Sequence, residues 1–178
     1  AIESALGPRS GDARRVSSAR KALKIAQQNG WYDNRLGFSL FALGRLSLST
    51  DARLAVESFA QSYTVYSRLY GRDDIHTAHV GMQLAAFAIS AGEPERAVAL
   101  VNDSLQSVLR AQNATLLATL LMIKSQALEM SGQRVAAQAV RLDSLGWARY
   151  GFGSDQEVRQ RLDEIASLAP PTKKAESS

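Results

Sequence analysis

Residues Asp74–Ala111 read DIHTAHVGMQLAAFAISAGEPERAVALVNDSLQSVLRA. Two apolar-rich segments flank Gly92-Glu93-Pro94. Glycine closes a helix because it tolerates the left-handed backbone there, and proline opens the next because its missing N–H has no partner in the first turn. Beyond the turn, Ala97, Leu100, Val101, Ser104, Leu105 and Val108 recur three and four apart, which is one face of a helix. The period-two alternation of a strand is missing throughout the chain. The stretch therefore predicts a helix, a tight turn and a second helix.

The same punctuation recurs on both sides of it. One set of turn signals falls at Ser10-Gly11-Asp12, Ser49-Thr50-Asp51, Gly92-Glu93-Pro94 and Ser131-Gly132. A second falls at Gly30–Asp33, Gly71–Asp74, Gln112-Asn113 and Gly151–Ser154. Members of each set stand about 40 to 42 residues apart and the sets interleave at about 20, so a helix–turn–helix unit repeats. The helices predicted are a short one before Gly7-Pro8, then 12–29, 33–48, 51–70, 74–91, 94–111, 114–131, 133–150 and 155–168. Ser154-Asp155-Gln156-Glu157 is a capping box opening the last of them. Three parts follow: a short N-terminal segment 1–11, a helical repeat domain 12–168 and a disordered tail 169–178.

These units resemble tetratricopeptide repeats, in the long variant found in kinesin light chains and in the sensor domains of large ATP-dependent bacterial transcription regulators. The likeness covers about residues 12–168 and is carried by Leu84-Ala85, Gly92, Ala97 and Ser104-Leu105 in the quoted unit. Leu43-Gly44, Ala55, Phe59 and Ser62 carry it in the unit before, and Ser125, Gly132, Ala137 and Ser144-Leu145 in the unit after. Small residues are needed where two helix backbones cross closely. The resemblance implies an all-α, right-handed solenoid of helical hairpins, about three and a half repeats long, with residues 155–168 as a C-terminal capping helix. It also implies a concave groove lined by the first helix of each pair: Phe38, Phe41 and Arg45, then His79, Met82 and Ala86, then Thr119, Met122, Gln126 and Glu129. The family's cationic clamp for a carboxylate tail is not matched, because Phe41, Met82 and Met122 stand at its positions.

Composition narrows the chemistry. The chain of 178 residues has no cysteine, so a disulfide framework, a thiolate metal site and a cysteine nucleophile are excluded. No apolar run approaches the roughly 18 residues of a membrane span; Ala114–Ile123 reads as a buried core helix. Gly151-Phe152-Gly153 lacks the strand and third glycine of a dinucleotide loop. Asp73-Asp74 reads as a helix N-terminal cap. His76 and His79 lie three apart on one helix without a third ligand, so a capping or groove-lining role is preferred to metal binding. The aromatic groups Trp31-Tyr32, Tyr63/Tyr66/Tyr70 and Trp147/Tyr150/Phe152 read as packing between repeats, the last seating the final helix. No constellation for catalysis emerges, and neither cofactor nor metal is expected.

The net charge of +4 is local. Six cations and one acid lie between Arg9 and Lys24, whereas Ile25–Pro170 holds 13 cations and 14 acids. Helix 12–29 carries Arg14, Lys21 and Lys24 as a basic stripe opposite Val16, Ala19, Leu23 and Ala26. A solvated face is the simplest reading of that stripe, with an acidic partner, anionic lipid or nucleic acid as alternatives, and no aromatic residue interleaves to stack bases. Nucleic acid is therefore not an expected partner. Arg outnumbers Lys 16 to 5, which sets the expectation of a GC-rich bacterial source. A chain beginning at Ala1 is expected to be a processed form or a piece of a longer protein, with an exported, periplasmic location favoured over the cytoplasm.

The function expected is a non-catalytic interaction or scaffold module holding an apolar peptide or helix of a protein partner, as a subunit of a larger bacterial assembly. The alternative is a ligand-sensing domain of an ATP-dependent transcription regulator. Residues 155–168 place Val158, Leu162, Ile165 and Leu168 on one face. Deleting them should expose the apolar end of the array and cause aggregation, which light scattering would detect; a monodisperse truncation would refute the capping role.

Overall fold

Helix starts in this chain are set by side chains that accept backbone N–H groups. The computed structural model describes residues 10–151. Asp33 accepts from the Arg35 amide, Asp51 from Leu54, Asp74 from His76 and Asn113 from Leu116. Each satisfies a donor that the first turn leaves without a partner. Glu93 caps without such a bond and is followed by Pro94 in the first turn.

Seven helices result among the described residues: α1 Ser10–Gln28, α2 Asn34–Ser47, α3 Ala52–Tyr70, α4 Ile75–Ser90, α5 Pro94–Arg110, α6 Ala114–Met130 and α7 Arg134–Gly151. No strand occurs among the described residues. The helices predicted over 12–150 all appear, with ends shifted by at most two residues. The predicted helices before Gly7 and over 155–168, the tail 169–178 and the Ser154–Glu157 capping box lie outside the described residues.

Helix ends repeat one geometry. After α4, the amide of Glu93 donates to the Ala88 carbonyl at 2.8 Å and that of Gly92 to Ile89 at 3.0 Å. Gln133 and Gly132 do the same after α6, to Leu128 and Glu129. Gly92 and Gly132 both have φ of 75°, as the motif requires. Gly30 and Gly71 hold positive φ after α1 and α3, and Gln112 takes the corresponding place after α5 at φ 50°, whereas α2 ends on Leu48 in right-handed helical backbone.

Connections of three to five residues turn each helix back against its predecessor. The closest packing joins α2 to α3, α4 to α5 and α6 to α7; the pairs then stack through α3–α4 and α5–α6, with α1 on α2 and α4 also touching α6. This is an all-α arrangement of consecutively packed helices, consistent with a helical repeat. Its core runs along the stack. Ala26, Leu36, Leu40 and Val65 form one end. Ala55, Phe59, Tyr66, Val80 and Leu84 form the middle. Val101, Val108, Leu117, Leu120 and Ile123 belong to the largest cluster.

The helices approach closely because their crossing points carry little side chain. Ala55, Ala97 and Ala137 are all at 0% exposure, and Ser62, Ser104 and Ser144 are equally enclosed. Ser62 Oγ–H donates to the Gly37 carbonyl and Ser144 Oγ–H to Ala118, each at 2.8 Å and each joining two helices. Ser125 Oγ–H reaches Ala137 across α6 and α7 in the same way. A Cβ on Gly44 would stand 2.7 Å from the Phe59 ring, and one on Gly37 would stand 2.7 Å from Tyr66.

These gaps make a sharp comparison. Gly44→Ala gains helix propensity of about 1 kcal/mol but collides with a fully buried ring, an overpacking cost of about 1–3 kcal/mol. Gly146, inside α7, has nothing within 4 Å among the described residues. Thermal melts should show Gly44→Ala destabilised and Gly146→Ala stabilised by about 0.5–1 kcal/mol. Equal stabilisation by both would overturn the crossing-point argument.

Candidate functional site

Gly37 opens the site as well as the crossing. Its missing Cβ lets the Tyr66 ring of α3 come close against α2, at 4% exposure. Tyr66 then becomes the floor of a cavity of about 150 Å³ between α2 and α4, lined by Phe38, Phe41, Tyr66, His76, His79 and Val80. Phe38 stands at its edge with 64% of its surface in solvent. Phe41 is half-buried and reaches the Phe59 ring, centroids 5.6 Å apart, and Phe59 in turn meets Phe87 at 6.2 Å.

The histidines are held by their own helix start. His76 Nδ1 lies 3.0 Å from the Asp74 carboxylate, whose same oxygen accepts the His76 backbone N–H at 2.8 Å. His79 Nδ1 lies 2.9 Å from the Ile75 carbonyl. Carbonyl and carboxylate oxygens accept, so both Nδ1 atoms carry the proton in the neutral rings. The His76 ring also closes a three-ring cluster, 5.7 Å from Tyr66 and 5.5 Å from Tyr70, with the tyrosines themselves stacked at 6.1 Å. Asp74 is thus the expected cap, and Asp73 pairs instead with Arg110 of α5. No group of three or more His, Cys, Asp and Glu gathers to hold a metal among the described residues.

Of the ten groove residues read from the sequence, the cavity brings together Phe38, Phe41 and His79. The others spread along the stack. Arg45 and Ala86 are exposed, and Met122 and Gln126 are half-buried. Met82 packs against the largest core cluster. Thr119 Oγ1 donates to its own helix at Thr115. Glu129 sits 4.0 Å from Arg134 and 3.9 Å from Arg141. None of the ten is fully buried. Arg14, Lys21 and Lys24 are exposed on α1.

His76, given a capping or groove-lining role from the sequence, lines the cavity, whereas Tyr66 and Val80 were not among the predicted lining residues. Tyr66 belongs to a second helix of its pair and enters only because Gly37 makes room. The other aromatic groups hold as packing at Trp31, which joins the first core cluster while the Arg35 guanidinium lies 4.1 Å over its ring. Trp147 is 38% exposed and lines a cleft of about 380 Å³ with Val108, Leu109, Gln112, Asn113, Ala114 and Leu117. Phe152 lies outside the described residues. A further cleft of about 380 Å³ is bordered by Val56, Leu84, Phe87 and the Glu93–Arg96 ion pair.

The chain matches no protein-family model, and no curated protein matches it.

Burial raises the pKa of the Tyr66 phenol above its ordinary value, and Tyr70 and Asp74 push the same way. Tyr63 is raised too, by burial first and then by Asp103. Both phenols hold their protons to higher pH in the fold than in the unfolded chain. Their contribution is complete below the unfolded value of about 10 and is lost as pH climbs through the folded value. Chemical denaturation between about pH 9 and pH 11 should show falling stability, flattened in a Tyr63→Phe, Tyr66→Phe variant; an identical slope in both proteins would contradict the assignment.

Proposed function

We propose that this chain is a non-catalytic interaction module of tetratricopeptide-like repeats, which holds an apolar side chain of a partner peptide or helix between α2 and α4. On this reading the molecule is a right-handed solenoid of about three and a half repeats, and the module serves a larger bacterial assembly. The observation that carries it is Phe38: a large apolar side chain, 64% exposed, at the mouth of a cavity walled by aromatic rings. Phe38 is continuous with that apolar lining, and an exposed side chain joined to an apolar cavity makes the kind of patch that marks an interaction site. The volume of about 150 Å³ suits one anchoring side chain, being below the roughly 300–1,000 Å³ of sites that enclose whole small ligands. Phe38, Phe41 and His79 come from first helices of their pairs, the face that resembles the family's peptide groove.

The test is selection from a random-peptide display library on the native chain. Peptides sharing an apolar anchor are expected, with affinity lowered at least about tenfold by Phe38→Asp. Phe38 is the position to change because Phe41 and Met82 also pack against core residues, where a charge would threaten folding. Selected peptides that bind Phe38→Asp as tightly as the native chain would refute the site.

A second reading, a ligand-sensing domain of an ATP-dependent transcription regulator, draws support from the two clefts of about 380 Å³, which fall within the size range of small-molecule sites. A metabolite retained by the native chain, with no peptide selected, would favour it.

A further inference from the structure

The cations of α1 are crowded. Arg14, Arg15, Arg20, Lys21 and Lys24 are all exposed, and none makes an ion pair with a carboxylate of residues 14–149. Elsewhere among the described residues Arg35, Arg53, Arg72, Arg96, Arg110, Arg134 and Arg141 each face a carboxylate within 4.0 Å, and the unpaired Arg45, Arg68 and Arg149 stand far apart in sequence. Residues 29–151 hold 11 cations against 10 acids, whereas 10–28 hold five against one. The excess positive charge of the described residues therefore sits on one helix, concentrated over about 15 Å of its length.

The arrangement around that helix is also specific. Val16, Ala19 and Leu23 are half-buried and Ala26 is buried, so the apolar stripe faces α2. Ile25 points the other way, 49% exposed. At about 100° per residue, Arg14 and Lys21 lie within about 40° of Ile25 and Lys24 about 100° from it, whereas Arg15 and Arg20 fall on opposite flanks beside the buried stripe. Headgroup phosphates meet Arg14, Lys21 and Lys24, and the same layer accepts the isoleucine at the acyl boundary, which a soluble polyanion does not.

We propose that the outer face of α1 docks the protein onto an anionic phospholipid surface, with Arg14, Lys21 and Lys24 on the headgroup phosphates and Ile25 dipping among them. The protein would lie on the bilayer, since no described helix is long and apolar enough to cross it. This leaves the pocket between α2 and α4 free for its own partner.

The experiment is co-sedimentation of the full chain with vesicles of phosphatidylcholine, with and without phosphatidylglycerol. Binding is expected only with the anionic lipid and should fade as salt rises. Each cation near the surface contributes about fivefold to partitioning. Replacing Arg14, Lys21 and Lys24 by Gln should therefore lower it on the order of a hundredfold. Arg53→Gln with Arg96→Gln, which removes paired cations, should change it by less than about twofold. Ile25→Ser keeps every charge and should still cost several-fold, which binding to a soluble polyanion would not show. Circular dichroism checks that each variant keeps its helices, and Lys21→Glu alone serves if the triple variant loses them. Equal binding to neutral vesicles, no binding to anionic ones, or an equal loss in the Arg53/Arg96 control would overturn the proposal. So would capture of duplex DNA or polyglutamate without vesicle binding.

Discussion

Everything in this molecule depends on how near two helix backbones can come. Where α2 crosses α3, the faces meet as glycine against ring: Gly44 against Phe59 and Gly37 against Tyr66. Where α4 meets α5 and α6 meets α7, alanine and serine provide the room, with Ala97 and Ala137 fully enclosed. Close approach gains dispersion contacts along the whole crossing and leaves no space for a larger residue. The buried serines are small enough to fit, and three of them give their hydroxyl protons to a backbone carbonyl on another helix, so the polar atom costs little. Ser47 and Ser67 are exceptions, their buried hydroxyl oxygens having no hydrogen-bond partner within ordinary distance among the described residues.

The same constraint shapes the candidate site. A ring that fits against a glycine is held rigidly on one side and presents its other face to whatever lies above. Tyr66 does this, and the first turn of α4 supplies His76 and His79 over it because Asp74 fixes where that helix begins. The cap, the glycine and the tyrosine are thus one device made from three separate segments. Its outcome is a shallow apolar socket with an exposed phenylalanine at the edge.

Much of the architecture was legible in the sequence, because the signals that end and start helices are local. Gly92-Glu93-Pro94 contains its own turn, and so do Gly132-Gln133 and the capping Asp33, Asp51, Asp74 and Asn113. The site was legible only in part. The resemblance to helical repeats implied that Phe38, Phe41 and His79 share a surface. It cannot report that Tyr66 reaches them from α3, because that depends on which glycine its ring meets across the crossing. Nor could spacing separate Met82, which serves the core, from Phe38, which serves the surface; both are large apolar residues on first helices. The charge imbalance of α1 was visible in the counts, but the absence of ion pairs around it among the described residues required coordinates.

The contacts between helices run almost wholly between chain neighbours, with α4–α6 reaching one step further. No far-apart segment closes the structure on itself among the described residues. Such a molecule behaves mechanically as a stack of springs. Tension applied to its ends would be borne by each junction in turn, and the weakest would yield first while the remainder kept its shape. On release, the lost pair would reform against a neighbour still standing, without waiting for a distant strand or loop to find its place. A module linking two larger bodies could therefore stretch and recover in steps, where a domain with a single closed core would break as a whole.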